Sequence, residues 1–117
     1  MLSGISSGLS ALMAIQTRVQ STANNTANVN TDGFKKTRVT LAAVEPQGVR
    51  AQVQRVDTPG PMIYEPTGNG EALVEKSNVD LAEELPQMMI DRRAFQANIK
   101  TIKTQDEMLG SLLDIKG

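Results

Sequence analysis

The chain has 117 residues, a formal net charge of −1 from 12 basic and 13 acidic side chains, no histidine and no cysteine. The charge balance argues against a dedicated nucleic-acid binder or a polybasic membrane protein. The missing residues remove the commonest general base, the commonest metal ligands and the thiol nucleophile. With Phe34, Tyr64 and Phe95 as the only aromatics, a core has to come from aliphatic and methionine side chains.

Ile5, Leu9, Leu12, Val19 and Ala23 recur at 4-3 spacing, with Gln16 as a polar intruder and Ile15 widening the stripe. The spacing predicts an amphipathic helix from about residue 4 to 29, roughly 40 Å long. Gly4 and Gly8 weaken its first turns. Serines and glycines interrupt the apolar positions before Arg18, so the segment is not a cleavable secretory signal. No window approaches the roughly 20 apolar residues of a membrane span. Asn24, Asn25 and Asn28 point away from the apolar stripe and offer a partner an amide-rich face; the plainer reading is a frayed, solvated helix end. Asn30, Thr31, Asp32 and Gly33 supply the stop, with Gly33 suited to a left-handed backbone.

Residues 37–76 change character. Val49 to Val53 alternates apolar and polar, as a half-buried strand does. Pro59-Gly60-Pro61 forbids regular structure. Met62-Ile63-Tyr64 reads as a second short strand, and Gly68-Asn69-Gly70 as a tight turn before Ala72-Leu73-Val74. This connector has too little apolar content to stand alone.

The C-terminal segment is the stronger helix. Asp80 with Glu83, or Ser77 with Asp80, offers a capping box. Leu81, Leu85, Met88, Phe95, Ile99, Ile102, Leu109 and Leu113 hold a 4-3 seam, broken by Arg92 and Asp106. A helix over residues 80–115 is roughly 54 Å long, and Pro86 predicts a bend or restart near residues 82–85. Ile90, Ala94, Ala97, Met108, Leu112 and Ile115 form a second stripe on the opposite side. A compact chain of this length has a radius of gyration of only about 13 Å. One chain cannot cover both stripes, so the missing cover comes from other copies or other proteins.

Catalytic constellations are absent. Asp80, Glu83 and Glu84 are explained by helix capping, Asp106-Glu107 lacks the spacing of a calcium loop, and Gly33 with Lys35-Lys36 lacks the phosphate-loop spacing. The basic groups Lys35-Lys36-Arg38 and Arg92-Arg93 have no interleaved aromatics to stack bases. The expectation is that the chain is not an enzyme and takes no cofactor and no metal.

Residues 23–36, ANNTANVNTDGFKK, closely resemble the Ala-Asn-Asn-Ile-Ala-Asn-x-Asn-Thr-x-Gly-Phe-Lys signature near the N-terminus of bacterial flagellar rod and hook proteins. Residues 77–117 resemble the C-terminal segment of the same families. Thr26 stands where an aliphatic residue is usual, Asp32 where proline is common, and Pro86 where the terminal helix normally has none. The short middle favours the small proximal-rod proteins over the large hook protein.

The resemblance implies a mainly α fold in which long N- and C-terminal helices pair antiparallel, coiled-coil-like, around a small β-rich connector. The expected organisation is an N-terminal helix and signature over 1–33, a connector over 34–77 and a C-terminal helix over 78–117. The implied function is that of a structural subunit of the flagellar basal-body rod, in the periplasm, exported by the type III apparatus. Its partners are then other copies and other flagellar axial proteins, with no nucleic acid and no membrane insertion. In isolation it is expected to be oligomeric or partly disordered. The expected contact residues are Leu9, Leu12, Val19, Asn24, Asn25, Asn28, Asn30 and Gly33 at one end. At the other they are Leu85, Met88, Arg92, Phe95, Ile99, Ile102, Leu109 and Leu113. The alternative is a soluble helix-in-groove adaptor or export-chaperone-like module, which has no reason to carry the asparagine signature.

Overall fold

A computed structural model describes residues 2–116. In chain order it holds helix α1 (Leu2–Ala27), strands β1 (Thr37–Ala43), β2 (Val49–Arg55), β3 (Met62–Thr67) and β4 (Gly70–Glu75), and helix α2 (Leu81–Lys116). The strands form two separate antiparallel hairpins. In the first, Thr37 pairs with Arg55 and Ala43 with Val49. In the second, Met62 pairs with Glu75 and Thr67 with Gly70, leaving Gly68-Asn69 as a two-residue loop. Gly70 has φ 119°, a conformation closed to side chains with a Cβ.

Local chemistry sets the helix ends. Helix α1 closes as the Asn28 amide bonds the Asn24 and Asn25 carbonyls at 3.2 and 3.1 Å. Gly33 then turns the chain at φ 71° and donates its N–H to the Glu75 carbonyl at 2.9 Å, tying the turn to β4. Asp80 caps α2, its carboxylate accepting the Ala82 amide at 2.9 Å. Helix α2 continues through Pro86 without interruption, so the restart expected there does not occur. Pro86 lies in the second turn, where its missing donor leaves one early carbonyl, that of Ala82, without its helical partner.

The expectation of a mainly α, coiled-coil-like pair is overturned. Helices of 26 and 36 residues share the chain with four strands of six or seven residues. The whole is extended, 81 × 24 × 18 Å, with a radius of gyration of 20.9 Å. Two physical causes are visible. Helix α1 is about 39 Å long and α2 about 54 Å, so the last turns of α2 run beyond any partner in the chain and are exposed from Gly110 to Ile115. The face of α2 turned to α1 is also not the expected apolar seam. It carries Glu84, Asp91, Asn98 and Gln105, seven residues apart and none of them fully exposed, interleaved with Met88, Phe95, Ile102 and Leu109. Half of the expected seam is therefore replaced by polar residues.

Gly4 and Gly8 make that approach possible. A Cβ on Gly8 would stand 2.8 Å from Ile102 Cγ1, and one on Gly4 2.7 Å from Gln105 Nε2. Their weakness as helix formers is offset by close helix packing. The other side of α1 meets the first hairpin through Ser10, whose hydroxyl accepts the Val49 amide at 3.0 Å. Among the described residues only Ala14, Ile15 and Val39 are buried apolar side chains, against Thr22, Asn25, Ser77, Glu84 and Asp91 buried and polar. The interior is small and held largely by hydrogen bonds.

Candidate assembly interface

The asparagine signature has an internal use. Asn25 is 1% exposed. Its Oδ1 accepts the Thr37 amide at 3.0 Å and its Nδ2 donates to the Thr37 carbonyl at 2.8 Å, as a paired strand would. The same Nδ2 also donates to Glu84 Oε1 at 3.2 Å. One side chain thus ties the end of α1 to the start of β1 and the first turn of α2. Burial holds the Glu84 carboxyl above the usual carboxylate range, with the Asn25 amide and the Lys36 charge opposing that effect.

Asn78 grips the adjacent residue from the other side. Its Oδ1 accepts the Lys36 amide at 2.7 Å, and its Nδ2 donates to the carbonyls of Val56 and Thr58 at 2.9 and 3.0 Å. Consecutive backbone amides, those of Lys36 and Thr37, are therefore read by two asparagines more than fifty residues apart in sequence. Beside them Lys76 pairs with Asp32, at 2.9 Å, and with Glu65, while Lys35 pairs with Glu75. The hydrogen bond from Lys35 holds Glu75 below its usual range, and Glu65 with Asp32 holds Lys76 above its own. Asp32 thus has a partner, which proline at that position could not offer.

Along the helix pair Arg18 reaches Asp91 Oδ1 with Nε at 2.6 Å and Nη2 at 2.5 Å. Gln87 donates to the same oxygen at 3.0 Å. Asp91 is 0% exposed, and its Oδ2 has no hydrogen-bond partner among the described residues. A surface hollow of about 460 Å³ lies alongside, lined by Gln16, Val19, Met88, Asp91, Arg92, Phe95 and Gln96.

The expected contact residues divide by exposure. Leu12, Val19, Asn28, Met88, Phe95, Ile102 and Leu109 are half-buried within the chain, and Asn25 is enclosed. Asn28 also bonds locally, donating to the Asn24 carbonyl at 2.8 Å and accepting the Thr31 hydroxyl at 3.0 Å. Leu9, Asn24, Asn30, Gly33, Leu85, Arg92, Ile99 and Leu113 face outward. Val19, Met88, Arg92 and Phe95 come together at the hollow. Arg18, Asn78 and Asp91 organise the structure without being expected to, and Glu84, expected only as a helix-capping charge, is buried against Asn25. For Glu84 and Asp91 the available signal is the polar residue at every seventh position, in step with Asn98 and Gln105.

The second stripe of α2 is left open: Ile90, Met108, Leu112 and Ile115 are all exposed. In the hairpins Val53, Met62, Ile63, Tyr64 and Leu73 are exposed as well. Exposed apolar surface of this kind is where proteins meet partner proteins, membranes or ligands.

Comparison with known proteins matches both ends of the chain. Residues 5–35 match the family described as flagella basal body rod protein, and residues 71–115 match the C-terminal family of flagellar basal body rod FlgEFG proteins. The flagellar hook protein FlgE of Escherichia coli K12 is 46% identical over 43 residues, covering 37% of this chain and 11% of that protein. The flagellar basal-body rod protein FlgG of Bacillus subtilis 168 is 46% identical over 43 residues, covering 37% of this chain and 16% of its own. The hook protein FlgE of Helicobacter pylori 26695 is 35% identical over 74 residues, covering 49% of this chain and 10% of that protein. The chain spans between a tenth and a sixth of the length of these curated relatives. Matched at both ends and in the same order, the chain belongs to the flagellar basal-body rod and hook protein family.

Proposed function

We propose that this structural component of the flagellar axis is a subunit of the basal-body rod, assembling through the outward faces of α1 and α2. The observation that carries the reading is the uncovered apolar surface of α2. Leu85, Ile90, Ile99, Met108, Leu112 and Leu113 are exposed on a helix of 36 residues, while three apolar side chains are buried among all the described residues. A drive shaft needs subunits locked by many side chains, in heterologous contacts that leave the assembly open. It needs no active site, and the role is structural rather than enzymatic. Its neighbours are further copies and other axial proteins, and it reaches the periplasm through the type III export apparatus. The polar network of Asn25, Asn78, Arg18 and Asp91 then fixes how the first hairpin and the two helices sit, and so the shape each subunit presents.

The experiment is fractionation. Basal bodies purified after the filament and hook have been sheared off are expected to retain the chain at a fixed ratio to other rod components. Its recovery only in the soluble cytoplasmic fraction overturns the reading.

A further inference from the structure

Asp91 engages one carboxylate oxygen and leaves the other idle. Its Oδ1 accepts from the Arg18 guanidinium at 2.6 and 2.5 Å and from the Gln87 amide at 3.0 Å. Oδ2, equally enclosed, meets no donor among the described residues. An ionised carboxylate only accepts, and a buried oxygen left without a donor is costly. Asp91 lines the surface hollow of about 460 Å³, whereas Arg18 and Gln87 do not, so the side of the carboxylate turned to the hollow is the one without partners. The walls beside it are the half-buried Val19, Met88 and Phe95, and the exposed Arg92 and Gln96 stand at the rim. A cavity of about 150 Å³ already admits a benzene-sized ring, so this hollow has room for one.

We propose that the hollow receives an aromatic side chain of a neighbouring axial protein that ends in a neutral hydrogen-bond donor, as the phenol of tyrosine does. The ring lies against Val19, Met88 and Phe95, and its hydroxyl donates to Asp91 Oδ2. The unpaired oxygen calls for a donor. The charge of Asp91 is already answered by Arg18, and Arg92 adds a positive charge at the rim, which favours a neutral donor over a cation. A methionine sulfur and a phenyl group are favourable neighbours for a ring. The rim also continues into a wider surface, because Leu85, Met89, Arg92, Gln96 and Ile99 follow one ridge of α2 at three- and four-residue spacing. Leu85, Met89 and Ile99 are exposed there, so a protein that covers the ridge also closes the hollow. The source of the occupant rests on the reading of the chain as an axial subunit, while the donor chemistry of the hollow does not.

The test begins with the purified full chain, labelled at its methyl groups and titrated with three small probes. p-Cresol is expected to shift the Val19 and Met88 signals and to bind roughly tenfold more tightly than 4-methylanisole, which has the same ring but no donor. Benzylammonium, a cationic donor, is expected to bind more weakly than p-cresol. Equal binding of p-cresol and 4-methylanisole overturns the role of Oδ2, and tighter binding of benzylammonium overturns the neutral occupant. Gln96→Trp, at the exposed rim, should abolish the p-cresol shifts, while Lys100→Trp, exposed on the same helix, should leave them intact. In the native host, Gln96→Trp should lower recovery of the chain in purified basal bodies severalfold, and Lys100→Trp should not. Unchanged recovery of Gln96→Trp overturns the axial neighbour as the occupant. Absence of the wild-type chain from basal bodies overturns the axial reading and that occupant together, with the probe titrations still deciding the donor chemistry. An unchanged helical circular dichroism signal shows that each variant has folded.

Discussion

Asn25 treats Thr37 as a neighbouring strand would, accepting its amide at 3.0 Å and donating to its carbonyl at 2.8 Å. A helix end therefore continues a sheet edge through one side chain. Asn25→Leu leaves both Thr37 groups and Glu84 without that partner. A buried polar group without its hydrogen bond costs about 1–3 kcal/mol, so the loss is expected to exceed 3 kcal/mol, by roughly that arithmetic, in urea unfolding. The exposed Asn24, changed to alanine, is expected to cost under about 0.5 kcal/mol. Equal effects at the two positions would show that the network contributes nothing to folding.

Arg18 and Asp91 form the ion pair at the middle of the helix contact, with Asp91 enclosed. Removing one partner leaves a buried charge unanswered, at about 3–5 kcal/mol. Arg18→Met is expected to destabilise the chain by about that amount. Arg18→Met with Asp91→Leu is expected to be milder than Arg18→Met alone, because neither charge then remains. A double-mutant cycle by thermal unfolding reads the coupling, and strict additivity would refute it.

Periodicity locates both helices, and the Gly68-Asn69 turn and the alternation at Val49 to Val53 locate parts of two hairpins. Strand β1 carries the same cue, since Thr37, Val39 and Leu41 face inward while Arg38 and Thr40 are exposed, but its basic residues draw the eye to charge. The fold class was not legible because the 4-3 rule assumes that a helix buries its most apolar stripe within its own chain. Helix α2 instead turns Glu84, Asp91, Asn98 and Gln105 toward α1 and leaves Leu85, Ile99 and Leu113 outside. In the function proposed above, those outward residues are the ones left for neighbouring subunits. Nor can spacing reveal that Asn25 meets Thr37, because that contact depends on where the turn at Gly33 sends the chain.

Gly60 is buried where two stretches of backbone meet. A Cβ there would stand 2.0 Å from the Lys76 carbonyl oxygen and 2.9 Å from the Ser77 carbonyl carbon. Backbone cannot rotate away as a side-chain tip does, so Gly60→Ala has to part the loop from the strand end. The expected cost is about 1–3 kcal/mol, with faster amide exchange at Lys76, whose N–H bonds the Pro61 carbonyl at 2.8 Å. At Gly68 an added Cβ meets nothing within 4 Å, and Gly68→Ala is expected to leave the melting temperature within a degree or so, at about 0.2 kcal/mol. Similar losses at both sites would remove the steric account.

Glu84 and Glu75 give opposite pH dependences. Burial raises Glu84 above its ordinary value of 4.5, so the folded chain takes up that proton before the unfolded chain does. Its contribution to stability is fully present below 4.5 and is lost as pH rises through the raised folded value. Glu75 is lowered by Lys35 from the same ordinary value of 4.5, so its contribution is present above 4.5 and is lost as pH falls through the lowered folded value. Glu84→Gln keeps an oxygen for the Asn25 amide while removing the charge. It is expected to raise the melting temperature at neutral pH, where the wild-type carboxylate is ionised and only partly solvated. Below 4.5, where wild-type Glu84 is itself protonated, the same substitution should give no gain. Glu75→Gln should behave in the opposite sense, with its loss largest at neutral pH and fading in acid. Melting curves for both variants across that range decide the matter. A gain from Glu84→Gln that is the same at every pH would show that its effect lies in packing rather than in charge.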